Sequence, residues 1–279
     1  MAATFNKDLV YRVGKVIGED CLAAKVAILY SPGANIHRTP YSGRNLEYYS
    51  EDAFLSYEIG KYEVKGIQEK GVHVVMKHFA LNDCEQDRLG QAAWLTEQAA
   101  REIYLKAFQG ALENGGNGVM LAYTRWGTEW SGAVEGLKHI LRNEWDNNGL
   151  NITDNVLTAY VNPADGMFGI TTTCDSMIAF MPIGVLEAYE NDAYMLTMMK
   201  EACHHNLYAL ANSIAMNGVG PDTTIKAVTP SLIQTVNTVK LVTYALSVVF
   251  GALWFVGKKK VVETEEYKNY KAFKASLKK

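Results

Sequence analysis

The sequence is poor in the arrangements that mark metal sites and disulfide frameworks. Its 279 residues include four cysteines, Cys21, Cys84, Cys174 and Cys203, without a Cys-x-x-Cys pair or a Cys/His ligand spacing. We interpret them as small, buried apolar residues rather than as disulfide partners. Two adjacent histidines occur at positions 204 and 205, but neighbours on a helix point about 100° apart. We expect neither a metal nor a cofactor.

The sequence also lacks a strong charge of one sign. A net charge of -3 and a pI near 6.1 leave no basic field that could neutralise a run of phosphates, so nucleic acid is excluded as a partner. The exception is local, at Lys258, Lys259 and Lys260 and in the lysines that follow. The first 25 residues contain charged residues such as Asp8 and Glu19 in place of the apolar core of a signal peptide, so none is expected.

Apolar residues alternate along the chain between helical spacing and short continuous runs. Over residues 5–25 they recur every three or four positions, which predicts a helix, and residues 26–30 form an apolar run, which predicts a buried strand. The same reading predicts helices at 51–70, 94–113, 132–146, 183–190 and 191–216, and strands at 73–76, 118–122, 150–153 and 168–172.

Short apolar strands between amphipathic helices are typical of α/β proteins, in which helices cover both faces of a parallel sheet. The sequence therefore predicts an α/β fold, with a (β/α)8 TIM-type barrel as the leading architecture. A closed barrel of this kind needs eight strands. The pattern supplies five or six and starts on a helix, so we expect residues 1–220 to form an incomplete barrel from which the first strands are absent.

The C-terminal part of the chain differs in character. Residues 241–256, LVTYALSVVFGALWFV, carry no charge and are followed by Gly257 and three lysines. We expect a linker at 221–235, a transmembrane helix at 236–257 and a basic tail at 258–279, because a spanning helix needs about 20 apolar residues. The lysines predict a cytoplasmic tail, and hence a single-pass cell-membrane protein whose preceding part is extracytoplasmic. The alternative is a buried C-terminal helix.

Reactive groups in such a barrel lie at the carboxyl ends of the strands and in the loops that follow. After the first predicted strand comes a polar, aromatic loop with Arg44 and Asn45 at its centre. Planar donors and aromatic rings suit a sugar, because hydroxyls accept hydrogen bonds and the ring packs on aromatics. The alternative, an ion pair of Arg44 with Glu47 or Asp52 that stiffens the loop, is equally open.

The next two predicted strands also end in polar or aromatic side chains. Lys77 and His78 stand at one strand end and Arg88 in the loop beyond it, so three donors could converge on a polyhydroxyl ligand or an anion. After the following strand, Tyr123 could donate to a carboxylate and Trp126 could stack on a sugar.

Asp154 ends the fourth predicted strand. Facing a mouth lined by Lys77, Arg88 and Arg44, this carboxylate would have its ionised form favoured by the positive charges. An ionised carboxylate suits a nucleophile rather than a general acid. Asp154 is therefore the candidate nucleophile.

These loops together resemble glycoside hydrolase family 3. The resemblance runs from Ala2 to Pro182 and is carried by GRNLEYYSED at 43–52, MKHFALND at 76–83, LTEQAAREIYLKAFQ at 95–109, GVMLAYTRWGT at 118–128 and LRNEWDNNGLNITD at 141–154.

The resemblance implies a retaining β-glycosidase, commonly a β-glucosidase, that removes the non-reducing end of gluco-oligosaccharides or β-glucosides through a covalent intermediate. It implies that Asp154 is the nucleophile, that Arg44, Lys77, His78 and Arg88 hold the hydroxyls of the first sugar, and that Tyr123 lies beside the nucleophile. Asn45 and Trp126 complete the set of candidate sugar contacts.

The chain also departs from the family pattern. It has no match to the strand with an Asp-Gly-Pro motif, and no sandwich domain, the usual source of the acid/base, follows Pro182. Some family members place that domain before the barrel and end in a membrane helix. The acid/base and the missing strands would then come from outside this chain, for example from a partner chain. The alternative is a catalytically silent fragment that at most binds sugar; Asp165 and Asp175 lack motif support as second carboxylates.

Overall fold

The computed structural model describes residues 1–156, 174–179, 189–224, 226 and 230–277. The chain divides into two compact units, Met1–Val219 and Gly220–Lys279. The strands of the first unit are β1 (Ile28–Leu29), β2 (His73–Phe79), β3 (Ala92–Ala93), β4 (Gly118–Leu121), β5 (Arg125–Trp126), β6 (Glu129–Trp130), β7 (Asn151–Val156) and β8 (Ser176–Ala179). Its helices are α1 (Lys7–Ala23), α2 (Ala53–Gln68), α3 (Glu97–Ala99), α4 (Lys106–Leu112), α5 (Glu135–His139) and α6 (Ala193–Ala211).

Five strands form a parallel sheet in the order β1-β2-β4-β7-β8. Their sequence order equals their spatial order, which is the connectivity of a sheet that curls towards a barrel. Within the described residues, β1 and β8 are its edges. The strands β3, β5 and β6 form a separate small sheet. The fold class is thus α/β, as the sequence predicts.

The main core lies between the large sheet and its helices. β2 is buried along nearly its whole length, because a parallel strand covered on both faces meets apolar side chains on each side. At its end, the ring of Phe79 meets Phe108 of α4 edge to face at a centroid distance of 5.2 Å. The ring centroid of Trp145 lies 6.3 Å from that of Phe79. The end of β2 is thus packed by residues of the helical segments that precede and follow β4 in the chain.

Helices α1 and α2 begin at side-chain caps and pack closely. The carboxylate of Asp52 accepts the backbone N–H of Leu55 at 2.6 Å, which satisfies a free donor at the start of α2. The two helices meet at glycines, because a Cβ at Gly66 would stand 2.3 Å from the carbonyl oxygen of Tyr11. The two helices therefore pack backbone to backbone at this point.

The predicted elements at 5–25, 26–30, 51–70, 73–76, 118–122 and 150–153 are confirmed with small shifts of their ends. The predicted helices 94–113 and 132–146 are each interrupted, because α3 and α5 widen into π-helical segments at Ala100–Tyr104 and Ile140–Glu144. Strand β8 and the small sheet were not predicted. The predicted strand 168–172 and most of helix 183–190 lie outside the described residues.

The second unit contains two helices, α7 (Ser231–Glu263) and α8 (Glu265–Ser276). Among the described residues, one helix, Ser231–Val262, is long and apolar enough to cross a membrane, with a mean hydropathy of 1.9. That judgement rests on length and composition. The helix starts inside the predicted linker and contains the whole predicted span 236–257.

Candidate active site

The candidate residues lie at the carboxyl edge of the large sheet. In the register of β2, β4 and β7, Leu121 pairs with Phe79 and with Thr153. Asp154 is the next residue, and it lies inside β7 rather than after the strand, because pairing with β8 extends β7 to Val156. Parallel strands end at the same edge, so the side chains that follow these positions meet there.

Asp154 lies beside His78. Nε2 of His78 is 3.8 Å from Oδ2 of Asp154, and the aspartate side chain is 14% exposed. Burial, together with the smaller effect of the charges of Arg44, Lys77 and Arg88, lowers the pKa of His78 to about 2. The imidazole is therefore neutral at neutral pH, and its contact with the carboxylate is that of a dipole, not an ion pair.

His78 is held from both its backbone and its ring. The side chain of Asn35 accepts the backbone N–H of His78 at 2.8 Å and donates to its carbonyl at 2.9 Å. The hydroxyl of Tyr48 lies 3.3 Å from Nδ1 and accepts a hydrogen bond from Nδ2 of Asn82 at 3.1 Å. These contacts fix the direction of the imidazole, so that Nε2 faces Asp154.

Glutamates pair with the three cations of the site. Nζ of Lys77 is 3.5 Å from Glu47, which also pairs with Arg44. Nη1 of Arg88 donates to Glu85 at 2.9 Å, and Nε of Arg44 is 3.9 Å from the same carboxylate. Burial acts to raise the pKa of Glu47, but the hydrogen bond and charge of Arg44 and the charge of Lys77 outweigh it and lower the pKa. Positive and negative side chains thus alternate around the candidate site.

The described contacts of Arg44 and Asn45 stiffen the loop, and a contact of either residue with a sugar stays a prediction. Arg44 forms the ion pair with Glu47 and also borders the site, whereas Asp52 caps α2 and is not its partner in the described contacts. Nδ2 of Asn45 donates to the carbonyl of Thr39 at 2.7 Å. The described hydrogen bond of Asn45 braces the loop.

Tyr123 connects the cations to the strand of Asp154. Its hydroxyl donates to the carbonyl of Asn155 at 2.7 Å, and the guanidinium of Arg88 lies over its ring at 4.9 Å. Trp126 belongs to β5 of the small sheet, where it is half-buried and packs against the main core. Its described packing does not bring it to Asp154, so stacking on a sugar stays a prediction.

Sequence reasoning missed the residues that support the candidates. Tyr48 stands inside the GRNLEYYSED segment, and Asn82 lies in MKHFALND. Motif membership was their only signal, since Tyr48 is 30 residues from His78 and 34 residues from Asn82 in the chain. Asp83 is also buried, and its carboxylate accepts the backbone N–H of Ile36 at 3.0 Å. Burial raises the pKa of Asp83 to about 7.

Asp175 has a partner set of its own at the other end of β7. Its carboxylate accepts from Arg142 at 2.5 Å, from the backbone N–H of Asn151 at 2.7 Å, and lies 2.8 Å from Nδ1 of His205. Asn151 is the first residue of β7, so this cluster ties down the amino end of the strand, away from Asp154. Asp165 lies outside the described residues. Within the described ranges, no group of three metal-ligating side chains occurs.

Known proteins resemble the first part of this chain. Residues 1–168 match the family described as Glycosyl hydrolase family 3 N terminal domain. Thermostable beta-glucosidase B of Acetivibrio thermocellus is 40% identical over 156 residues, which are 55% of this chain and 21% of the relative. An exo-alpha-(1->6)-L-arabinopyranosidase of Bifidobacterium longum is 36% identical over 165 residues, again 55% of this chain and 21% of the relative.

Solved structures show the same similarity. Beta-glucosidase 3B from Thermotoga neapolitana in complex with glucose superposes with a TM-score of 0.70 at 30% identity, covering 79% of this chain and 33% of that one. This chain thus spans about a fifth of the curated relatives and a third of the solved structure. Since the family match includes more than half of its residues, this chain belongs to glycoside hydrolase family 3.

Proposed function

We propose that this chain carries the nucleophile half of a retaining β-glycosidase that acts on β-glucosides. The observation that supports it best is the carboxylate of Asp154, 3.8 Å from the neutral imidazole of His78 at the carboxyl edge of the sheet. A neutral donor beside a carboxylate and a rim of cations suit a ligand that is rich in hydroxyls and carries no net charge. The β-glucosidases among the relatives agree with this substrate class.

In the proposed reaction, Asp154 attacks the anomeric carbon of the first sugar. The bond from that carbon to the leaving oxygen breaks, and a glycosyl ester forms on Asp154 while the oxygen departs with a proton from a general acid. Water then attacks the anomeric carbon and gives its proton to the same group acting as base. The bond from that carbon to the oxygen of Asp154 breaks, which releases the sugar and the free carboxylate. Arg44, Lys77, His78 and Arg88 hold the sugar hydroxyls, and Tyr123 holds the strand of the nucleophile.

The acid/base group is proposed to come from outside this chain, from a partner chain or domain that also completes the sheet. A retaining mechanism needs a second carboxyl about 5–5.5 Å from the nucleophile. The glutamates nearest the cations are held in ion pairs with Arg44, Lys77 and Arg88. A carboxylate committed to such pairs is a poor proton donor, because protonation would leave its half-buried cationic partners unpaired.

The relation to a membrane is part of the proposal. Helix α7 contains the predicted span 236–257, and Lys258, Lys259 and Lys260 follow it directly. By the positive-inside rule the tail is cytoplasmic. The glycosidase unit is then extracytoplasmic and is anchored in the cell membrane by a single pass.

A second candidate function is a silent fragment that binds sugar without cleaving it. Among the described residues, the free edges of the sheet at β1 and β8 favour it, because an incomplete barrel leaves strand edges without partners. Such a chain would keep the rim of cations while Asp154 would lack the geometry for attack.

Trapping of the nucleophile separates the two functions. The full chain is incubated in mild detergent with a 2-deoxy-2-fluoro glucoside whose dinitrophenyl leaving group departs without acid assistance, and peptides are analysed by mass spectrometry. We expect one adduct on Asp154 and none in Asp154→Asn. An unlabelled wild-type chain, beside a complete family enzyme that is labelled, would refute the proposed nucleophile and favour the sugar-binding fragment.

A further inference from the structure

The segment after α7 is a second helix that starts almost without a break. Thr264 leaves the helical conformation with φ -72° and ψ 145°, and its hydroxyl accepts the backbone N–H of Tyr267 as the N-cap of α8. The same hydroxyl donates to the carbonyl of Val261 at 2.7 Å. A single residue therefore separates α7 from α8, so α8 begins wherever α7 ends.

The length of α7 determines how far the start of α8 lies from the hydrocarbon of a bilayer. If residues 236–256 cross the hydrocarbon, the eight steps from Val256 to Thr264 rise about 12 Å. A headgroup layer is about 5–8 Å thick on each side. Lys258, whose Nζ lies 4.9 Å from the ring of Trp254, then stands among the headgroups. Helix α8 then starts about 4–7 Å beyond their outer edge, and its 12 residues span about 18 Å, which is enough to return to the surface when the chain turns back at Thr264.

One face of α8 is apolar and exposed. The side chains of Tyr270, Phe273 and Leu277 are 57%, 62% and 69% exposed and recur at spacings of three and four. At 3.6 residues per turn they fall within an arc of roughly 60°, which in the first turn of α8 also holds Glu266. Aromatic side chains on one face of a helix suit the boundary between headgroups and acyl chains.

Lysines occupy the polar side of α8. Counted at 100° per residue from the Tyr270 edge of the apolar arc, Lys274 lies at about 40°, Lys271 at about 100° and Lys268 at about 160°. Nζ of Lys274 is 5.9 Å from the ring of Tyr270. Residues 258–279 contain eight lysines against three glutamates. Clusters of four to eight basic residues next to a membrane helix bind anionic lipid headgroups. The charge of the segment 258–279 as a whole is thus complementary to an anionic leaflet.

We propose that α8 is an interfacial helix that binds anionic phospholipid headgroups, with Tyr270, Phe273 and Leu277 inserted at the boundary of the acyl chains. This inference rests on the membrane anchoring proposed for α7 and is independent of the glycosidase chemistry. A basic helix of this kind biases the chain towards membrane regions rich in anionic lipid.

The test uses the full chain in nanodiscs, with hydrogen exchange of the α8 amides as the readout. One disc contains only phosphatidylcholine and the other also contains phosphatidylglycerol. The variant Lys268→Gln/Lys271→Gln/Lys274→Gln keeps helix propensity, since Gln and Lys are similar helix formers, and Lys61→Gln in the barrel unit is the control. Each lysine near an anionic surface contributes about fivefold to binding, so the triple variant should lose roughly 100-fold.

We expect slow exchange of α8 in the anionic disc, fast exchange in the neutral disc and fast exchange of the triple variant in both. Equal exchange in both discs by a chain that inserts normally would overturn the proposal. Protection that persists in the triple variant, or appears only when two chains share a disc, would instead indicate a second copy as the partner of α8. Failure to insert into either disc would refute the anchoring and this inference with it, while the nucleophile assay would still decide the glycosidase proposal.

Discussion

Replacement of Asp83 by asparagine should change how the stability of the barrel unit depends on pH. The carboxyl of Asp83 is 4% exposed, and one of its oxygens accepts the backbone N–H of Ile36. Burial raises its pKa to about 7, although the hydrogen bond from Ile36 and the charge of Arg38 act in the opposite direction. The amide of the substituted side chain can accept the same hydrogen bond but cannot titrate.

The size of the effect follows from the two pKa values. In the unfolded chain Asp83 releases its proton near pH 3.9, whereas the folded protein retains it up to about pH 7. Between these values the unfolded state binds fewer protons, so the free energy of unfolding falls as pH rises. Three pKa units correspond to about 4 kcal/mol at 1.36 kcal/mol each. The loss is complete above pH 7 and absent below pH 3.9.

Thermal unfolding of the full chain in nonionic detergent, at a series of pH values from 4 to 8, measures this difference. From pH 4 to pH 8, the free energy of unfolding of the wild type should fall by about 4 kcal/mol relative to that of Asp83→Asn. This difference corresponds to roughly 8–16 °C in Tm for a domain of this size. Any fixed cost of the new amide is the same at every pH and cancels. Other titrating groups are common to both proteins. Parallel pH profiles for the two would show that Asp83 is ionised in the fold and would refute the reasoning.

Two further substitutions test the core and the site. Phe79→Ala removes a fully buried ring and should lower the free energy of unfolding by about 3–5 kcal/mol. The control Phe54→Ala, at a side chain that is 66% exposed, should change it by less than about 0.5 kcal/mol. Equal losses of the two variants in urea unfolding would contradict the assigned core. Tyr48→Phe removes the hydroxyl next to Nδ1 of His78 and the acceptor of Asn82. In this variant the labelling of Asp154 should slow roughly tenfold, as for one lost hydrogen bond. The 15N NMR spectrum should show a changed tautomer balance of His78. An unchanged spectrum of the imidazole would mean that Tyr48 does not position the ring of His78.

The main helices and strands could be predicted because each has a local pattern. The helical spacing before Ala23 and the apolar run at the start of β2 lie within single elements. The π-helical interruptions and β8 were missed, since they depend on pairing and packing with distant residues. The small sheet was missed for another reason. Its strands have two residues each, which is too short for any periodicity to show.

The candidate site was predicted in part. Lys77, His78 and Asp154 follow apolar runs, and the carboxyl ends of parallel strands must meet at one edge. Which cation pairs with which carboxylate could not be read, because Arg44 had both Glu47 and Asp52 within reach along the chain. The structure decides it, since Asp52 is occupied as the cap of α2.

The sequence by itself determined the α/β class, the family resemblance and the order of the polar strand ends, because these are encoded in periods and motifs of neighbouring residues. Tertiary structure alone decided that His78 is neutral and that its ring is aimed by Tyr48 and Asn82, 30 and 4 residues away in the chain. The physical reason is burial. Removal of water lowers the pKa of His78 and strengthens each remaining hydrogen bond, and neither effect exists before distant segments pack together.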